Sequence, residues 1–224
     1  MAIAFVVKAG RRTPGATTGV DTTGANFLVC MIGGEINATA PTDSKGNTWT
    51  QVRDENGEFS GEVALFYCEN PTVGSGHTWT TTSSLCCVSV AAFSGVATSS
   101  SLDQQNGVSN DDEPYNAGSI TPSEDNELVI AAMGGGVQTG HAIDGGFTIT
   151  DAWDTTGGVN YDGALAYLIQ TTATAANPSW TGSGTGPLEG VINASFKADA
   201  GGGGGGFQSA WARGSNSIIQ PGLR

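Results

Sequence analysis

His77 and His141 are the only imidazoles in this 224-residue chain. Acid–base chemistry near neutral pH would have to use one of them, or a carboxylate with a displaced pKa. Nucleophilic hydrolysis needs a hydroxyl or thiol against such a base, with a third group to orient it. No G-x-S-x-G elbow occurs, and the serines sit in turn-like surroundings. His77 opens an expected strand and reads as a structural histidine.

Acids cluster in "NDDEPYN" (110–116) and "SEDNE" (123–127). They lie side by side, unlike the opposed pair of a glycosidase. They also lack the D-x-D-x-D-G order of a calcium loop, so both read as solvated loops. Cys30, Cys68, Cys86 and Cys87 include no C-x-x-C, and two histidines add little ligand supply for zinc. Cys86 and Cys87 would point to opposite faces of a strand, so the four read as buried thiols of a protein made in a reducing compartment. The glycine runs 134–136 and 201–206 lack G-x-G-x-x-G spacing and a following Lys-Ser or Lys-Thr. These residues assign no catalytic group, metal ligand or cofactor, and the chain is not read as an enzyme.

Charge narrows the partners. The formal net charge is −13, and no Lys or Arg stands between Asp54 and Phe196. Such a body repels phosphate backbones, which argues against nucleic acid. No apolar run approaches the roughly 20 residues that span a bilayer. The opening "MAIAFVVKAGRR" lacks a basic segment ahead of a short apolar run, so a secretory signal is not expected.

The elements that would position these groups follow from an internal repeat. "NFLVCMIGG" (26–34) returns as "NELVIAAMGG" (126–135), "TWT" (48–50) as "TIT" (148–150), and "ALFY" (64–67) as "ALAY" (164–167). "HTWT" (77–80) is matched by "PSWT" (178–181), and "LCCVSVAAF" (85–93) by "LEGVINASF" (188–196). β-branched and aromatic residues dominate these segments, and Gly/Asn/Asp/Pro turns separate them. The expected fold is all-β: an antiparallel β-sandwich or jelly roll duplicated from about five strands per half. Its domain spans 1–200, with pseudo-repeats 26–96 and 126–198 joined by a loop at 97–125.

The repeat also sorts the tryptophans. Trp79 and Trp180 match each other, Trp49 matches Ile149, and Trp153 matches Arg53. Trp153 alone in the duplicated body lacks an apolar counterpart, so it is the candidate stacking platform for a sugar.

After residue 200 come six glycines (201–206), a linker, and then "FQSAWARGSNSIIQPGLR" (207–224). Eighteen residues cannot build a core, so an ordered tail must borrow a surface. Phe207, Trp211, Arg213, Ile218, Ile219 and Arg224 are its candidate docking residues, with Arg11 and Arg12 near the other end. A Gly/Thr/Ser-rich β sandwich, the hairpin style of "DSKGNTWTQV" (43–52) and "AWARGSN" (210–216) after a glycine tract resemble β-sandwich structural proteins of tailed-bacteriophage virions. That resemblance implies a capsid decoration, head-spike or tail component, assembled in the host cytoplasm and resident in the virion. Its partners would be further copies and other virion proteins, and possible glycans. A carbohydrate-binding module is the alternative reading, and a glycosidase the third.

Overall fold

A computed structural model describes residues 1–12, 15–34, 38–56, 62–81, 86–110, 114–135, 138–154, 162–184 and 189–200. The first half supplies β1 (Ala4–Arg11), β2 (Phe27–Gly34), β3 (Thr42–Asp43), β4 (Thr50–Asn56), β5 (Glu62–Glu69), β6 (Trp79–Thr80) and β7 (Cys86–Ser94). The second supplies β8 (Leu102–Asn110), β9 (Tyr115–Asn116), β10 (Leu128–Gly135), β11 (Gln138–Ile143), β12 (Thr148–Trp153), β13 (Asp162–Ile169), β14 (Ser179–Gly184) and β15 (Glu189–Phe196). Among the described residues no helix is long and apolar enough to cross a membrane.

Two five-stranded antiparallel sheets face each other, in the orders β1-β7-β2-β5-β4 and β8-β15-β10-β13-β12. Each sheet comes from one half, and the orders correspond strand for strand. The packing between sheets is reciprocal: β2 meets β13 as β10 meets β5, and β4 meets β8 and β15 as β12 meets β1 and β7. β2 and β10 meet each other at the centre. This is the contact pattern of an isologous two-fold interface within one chain, so the halves share a single sandwich.

β2 and β10 read as unbroken apolar runs because both of their faces are covered. From β2, Phe27, Val29 and Met31 point into the space between sheets, against Leu128, Ile130 and Ala132 of β10. The alternate residues Leu28, Cys30 and Ile32 point outward and are roofed by Trp79 and Trp49. Ala131 and Met133 are roofed by Trp180 and Tyr115. The roofs are the small sheets β3-β6 and β11-β14-β9. Trp79 and Trp180 are thus equivalent core residues, each about 1% exposed. Each large apolar side chain buried this way contributes roughly 1.5–3 kcal/mol of transfer free energy.

Spacing between the sheets varies along the strands. At one pole Phe27 packs on Phe196 with ring centroids 4.7 Å apart, and Phe93 on Tyr167 at 5.2 Å. At the other pole the backbones nearly touch. A Cβ on Gly33 would stand 2.8 Å from the Asp162 carbonyl oxygen and 3.4 Å from the Gly134 Cα.

Two sequence expectations change. The segment 97–125, expected as a joining loop, contains β8 and β9, and β1 lies ahead of the expected repeat at 26–96. β1 pairs with β7 and β8 with β15, so each half begins and ends on adjacent strands. β8, "LDQQNGVSN", is a polar edge strand without apolar alternation. The repeat register in β12 also differs from "TWT" against "TIT". Thr50 pairs with Tyr67 and Thr148 with Tyr167, and both ladders carry a bulge after the next residue. The true counterparts there are 98 apart (148 − 50), so Trp153 answers Glu55, and Asp151 answers Arg53.

Candidate functional site

Three places could carry function: the two buried histidines and a groove at the aromatic pole. His77 is held by backbone bonds with Val20 in both directions, at 2.9 and 3.0 Å. Its ring lies 3.0 Å from Thr22 Oγ1 through Nδ1 and 3.1 Å from Asp43 Oδ1 through Nε2. Trp79 stacks on it at 4.1 Å. Asp43 starts the tight turn of "DSKGN". Its carboxylate accepts from the Lys45 backbone N–H at 2.8 Å, the Asn47 side-chain amide at 3.1 Å and the Trp49 indole at 3.0 Å.

Burial raises the Asp43 pKa, but the bonds from Trp49, the Lys45 and Asn47 backbone and His77 outweigh it, leaving the carboxyl below its ordinary value. Burial lowers the pKa of His77, opposed by Asp43. A neutral ring beside a carboxylate carries its proton on Nε2, donates it to Asp43, and accepts from the Thr22 hydroxyl at Nδ1. Thr22, His77 and Asp43 are the group types of a hydrolytic triad. However, Thr22 and the His77 and Asp43 side chains are 0% exposed, so no substrate reaches the hydroxyl. The network ties the segments of the first roof to one another, joining 20–22, the β3 turn and the start of β6. Asp43 went unnoticed in the sequence because "DSKGN" already reads as a turn, and the residue does both jobs.

His141 sits where the β11–β14 register shifts between Thr139 and Ala142, beside Gly140 at φ +66°. Its side chain is 0% exposed, with Nε2 3.8 Å from Asp154 Oδ1 and 4.0 Å from Asp162 Oδ2. Neither ring nitrogen completes a hydrogen bond among the described residues. Burial lowers its pKa, against the pull of Asp154 and the Trp153 backbone. Among the described residues no group of three His, Cys, Asp or Glu side chains is placed to hold a metal ion.

The acids of "SEDNE" separate. Glu127 is buried, which pushes its pKa up, whereas Glu124 and Asp125 are exposed. Asp103 is bound to Ser123 at 2.7 and 2.8 Å, with Lys197 at 3.5 Å. The cysteines form no disulfide, and all four are buried. Burial raises the Cys68 thiol to about 11 and pushes Cys30 and Cys87 upward as well.

Trp153 is half-buried, packed against the inter-sheet core, and donates its indole N–H to Ser89 Oγ at 3.0 Å. Its ring lies over Gly10, where a Cβ would come within 2.7 Å of it. The same seam recurs in the other half, where Arg53 and Glu55 lie over Gly107. The geometry gives Trp153 a packing role at this seam. Arg11 donates to the Ala16 carbonyl at 2.9 Å, and Arg12 lies near enough to Cys87 to favour its thiolate. Both arginines are at the glycine pole, roughly 23 Å or more along β1 from its other end.

The N-terminus and Ala200 meet instead at the aromatic pole. Ala97 donates to the Lys197 carbonyl at 2.9 Å and Asp199 to the Gly95 carbonyl at 2.8 Å. A groove of about 530 Å³ lies there, with Ile3 and Ile169 on its wall and Met1 at its lip. Glu124, Asp125 and Asp199 add carboxylates to its lining, and Ala200 is part of it. Phe207, Trp211, Arg213, Ile218, Ile219 and Arg224, with the glycines 201–206, lie outside the described residues. The structure therefore brings together residues 1–3 and 198–200, and does not bring Arg11 and Arg12 to them. Comparison of the chain with protein families, curated proteins and solved structures gives no match.

Proposed function

We propose that this protein is a structural subunit of a virus particle of the tailed-bacteriophage kind, joined to neighbouring subunits through the segment 207–224. The observation that carries this reading is the construction of the body. Its one-chain sandwich uses its histidines as buried packing elements, its last described residue, Ala200, lies at one pole, and the sequence after it is apolar and basic. Terminal arms of this composition join subunits by burying aromatic anchors, the residues that dominate interface energetics.

The test is sedimentation velocity of the full chain against Trp211→Asp/Ile218→Asp. Self-association or particle incorporation is expected to weaken at least tenfold, with the melting of the body unchanged. Assembly that proceeds equally in both proteins overturns the proposal.

A further inference from the structure

We infer that the groove at the aromatic pole is the receptor for this chain's own segment 207–219, so that the isolated subunit holds its arm against its own body. This rests on the assembly reading only in taking the segment as an adhesive arm. Three observations carry it.

The first is reach. Ala200 itself lines the groove, and seven residue steps separate it from Phe207. Fully extended, those steps cover at most about 25 Å, enough to set Phe207 and Trp211 anywhere along the groove. A short flexible tether of this kind presents its ligand at roughly millimolar effective concentration, about a thousandfold above a micromolar solution of other copies. The segment's own groove therefore outcompetes a neighbour's in dilute solution.

The second is apolar fit. Met1, 71% exposed, lines the groove together with Ile3 and Ile169. A groove of about 530 Å³ lies within the ordinary range of ligand pockets and accepts a large aromatic side chain. Phe207 and Trp211 are the first two large apolar residues after the glycines.

The third is charge. Glu124, Asp125 and Asp199 line the groove, while residues 201–224 contain two arginines and no Asp or Glu. Apolar contact supplies the affinity, and Arg213 within the segment complements the three carboxylates of the groove.

The test uses the full chain carrying Thr171→Cys, an exposed groove position, and Ser209→Cys. The four native thiols are buried, so only the engineered pair reacts under native conditions. Mild oxidation at about 1 μM is expected to give an intramolecular disulfide, seen as a faster non-reduced monomer band whose yield does not depend on concentration. Adding Phe207→Ser and Trp211→Ser should slow cross-linking at least tenfold, because a tether without anchors visits the groove only by chance. Charge reversal at Glu124 and Asp125 to Lys should slow it several-fold, and more at low salt than at high salt.

Disulfide-linked dimers that increase with concentration would overturn the inference in favour of a neighbour's arm and leave the assembly reading standing. Failure to cross-link, or cross-linking indifferent to Phe207 and Trp211, would overturn it outright. Loss of tail-dependent self-association with the intramolecular bond intact would instead remove the assembly reading alone.

Discussion

His77 and His141 both sit beneath the outer layers of a duplicated sandwich, one in each half, yet their surroundings differ in kind. His77 has a partner on each ring nitrogen, and its carboxylate partner accepts further bonds from one turn and one indole. His141 lies among two carboxylates at 3.8 and 4.0 Å without a completed hydrogen bond. The repeat fixes strand order and core, and it leaves each half free to fasten its roof differently. In the first half a polar network also binds the roof's own segments to one another. In the second, where Ala176 takes the bridge opposite Ile120 as His77 does opposite Val20, apolar packing does.

The comparison breaks most visibly under substitution. His77→Leu leaves Asp43 and Thr22 buried with a lost partner, and should cost about 3–5 kcal/mol. His141→Leu removes a ring whose nitrogens complete no hydrogen bond among the described residues, and should cost less than about 1 kcal/mol or stabilise. Urea unfolding of the two variants side by side measures the difference. Equal losses would mean that the contacts of His77 are incidental.

A smaller effect is expected from pH. Both histidines have folded-state pKa values lowered by burial. Below about pH 6.5 the unfolded chain takes up protons that the folded protein refuses, so their contribution is present above that pH and is lost as pH falls. The slope is at most about 1.4 kcal/mol per pH unit for each histidine. The raised pKa of Glu127 opposes this trend nearer its own range, so the informative quantity is a difference between proteins. Unfolding free energies at pH 7 and 5.5 should show a shallower fall in His141→Leu than in the unsubstituted chain. Parallel slopes would show that His141 titrates as it does in water.

The smallest effect sharpens the comparison without changing stability. All four cysteines belong to the first half, and the second has none. A thiol reagent at pH 8 should leave all four nearly unmodified in the native protein and modify all four in denaturant, because burial shields all four and raises Cys30, Cys68 and Cys87. Fast native labelling would show that the first roof opens readily despite its polar network.

The duplication was legible because large apolar runs bounded by glycine survive in both halves. Leu128–Gly135 could therefore be read as a buried strand from its neighbours alone. The pairing of Trp79 with Trp180 was legible for the same reason. β8 was not, since an edge strand with one face on β4 needs little apolar patterning, and "LDQQNGVSN" reads as loop. The alignment at β12 misled because similar words, "TWT" and "TIT", fall two residues out of structural register. Asp43 and the unsatisfied setting of His141 depend on contacts between distant segments, 34 residues apart for Asp43 and His77, and no local pattern encodes them.

The reciprocal contact of the two sheets has a consequence for how the body holds together on dilution. Two separate half-chains with this interface would be a dimer, tighter or looser with the amount of protein present. Joined by the segment 95–101 between β7 and β8, the association becomes internal and its strength no longer depends on how many molecules are nearby. The protein can travel alone at low abundance as a finished dimer-like body.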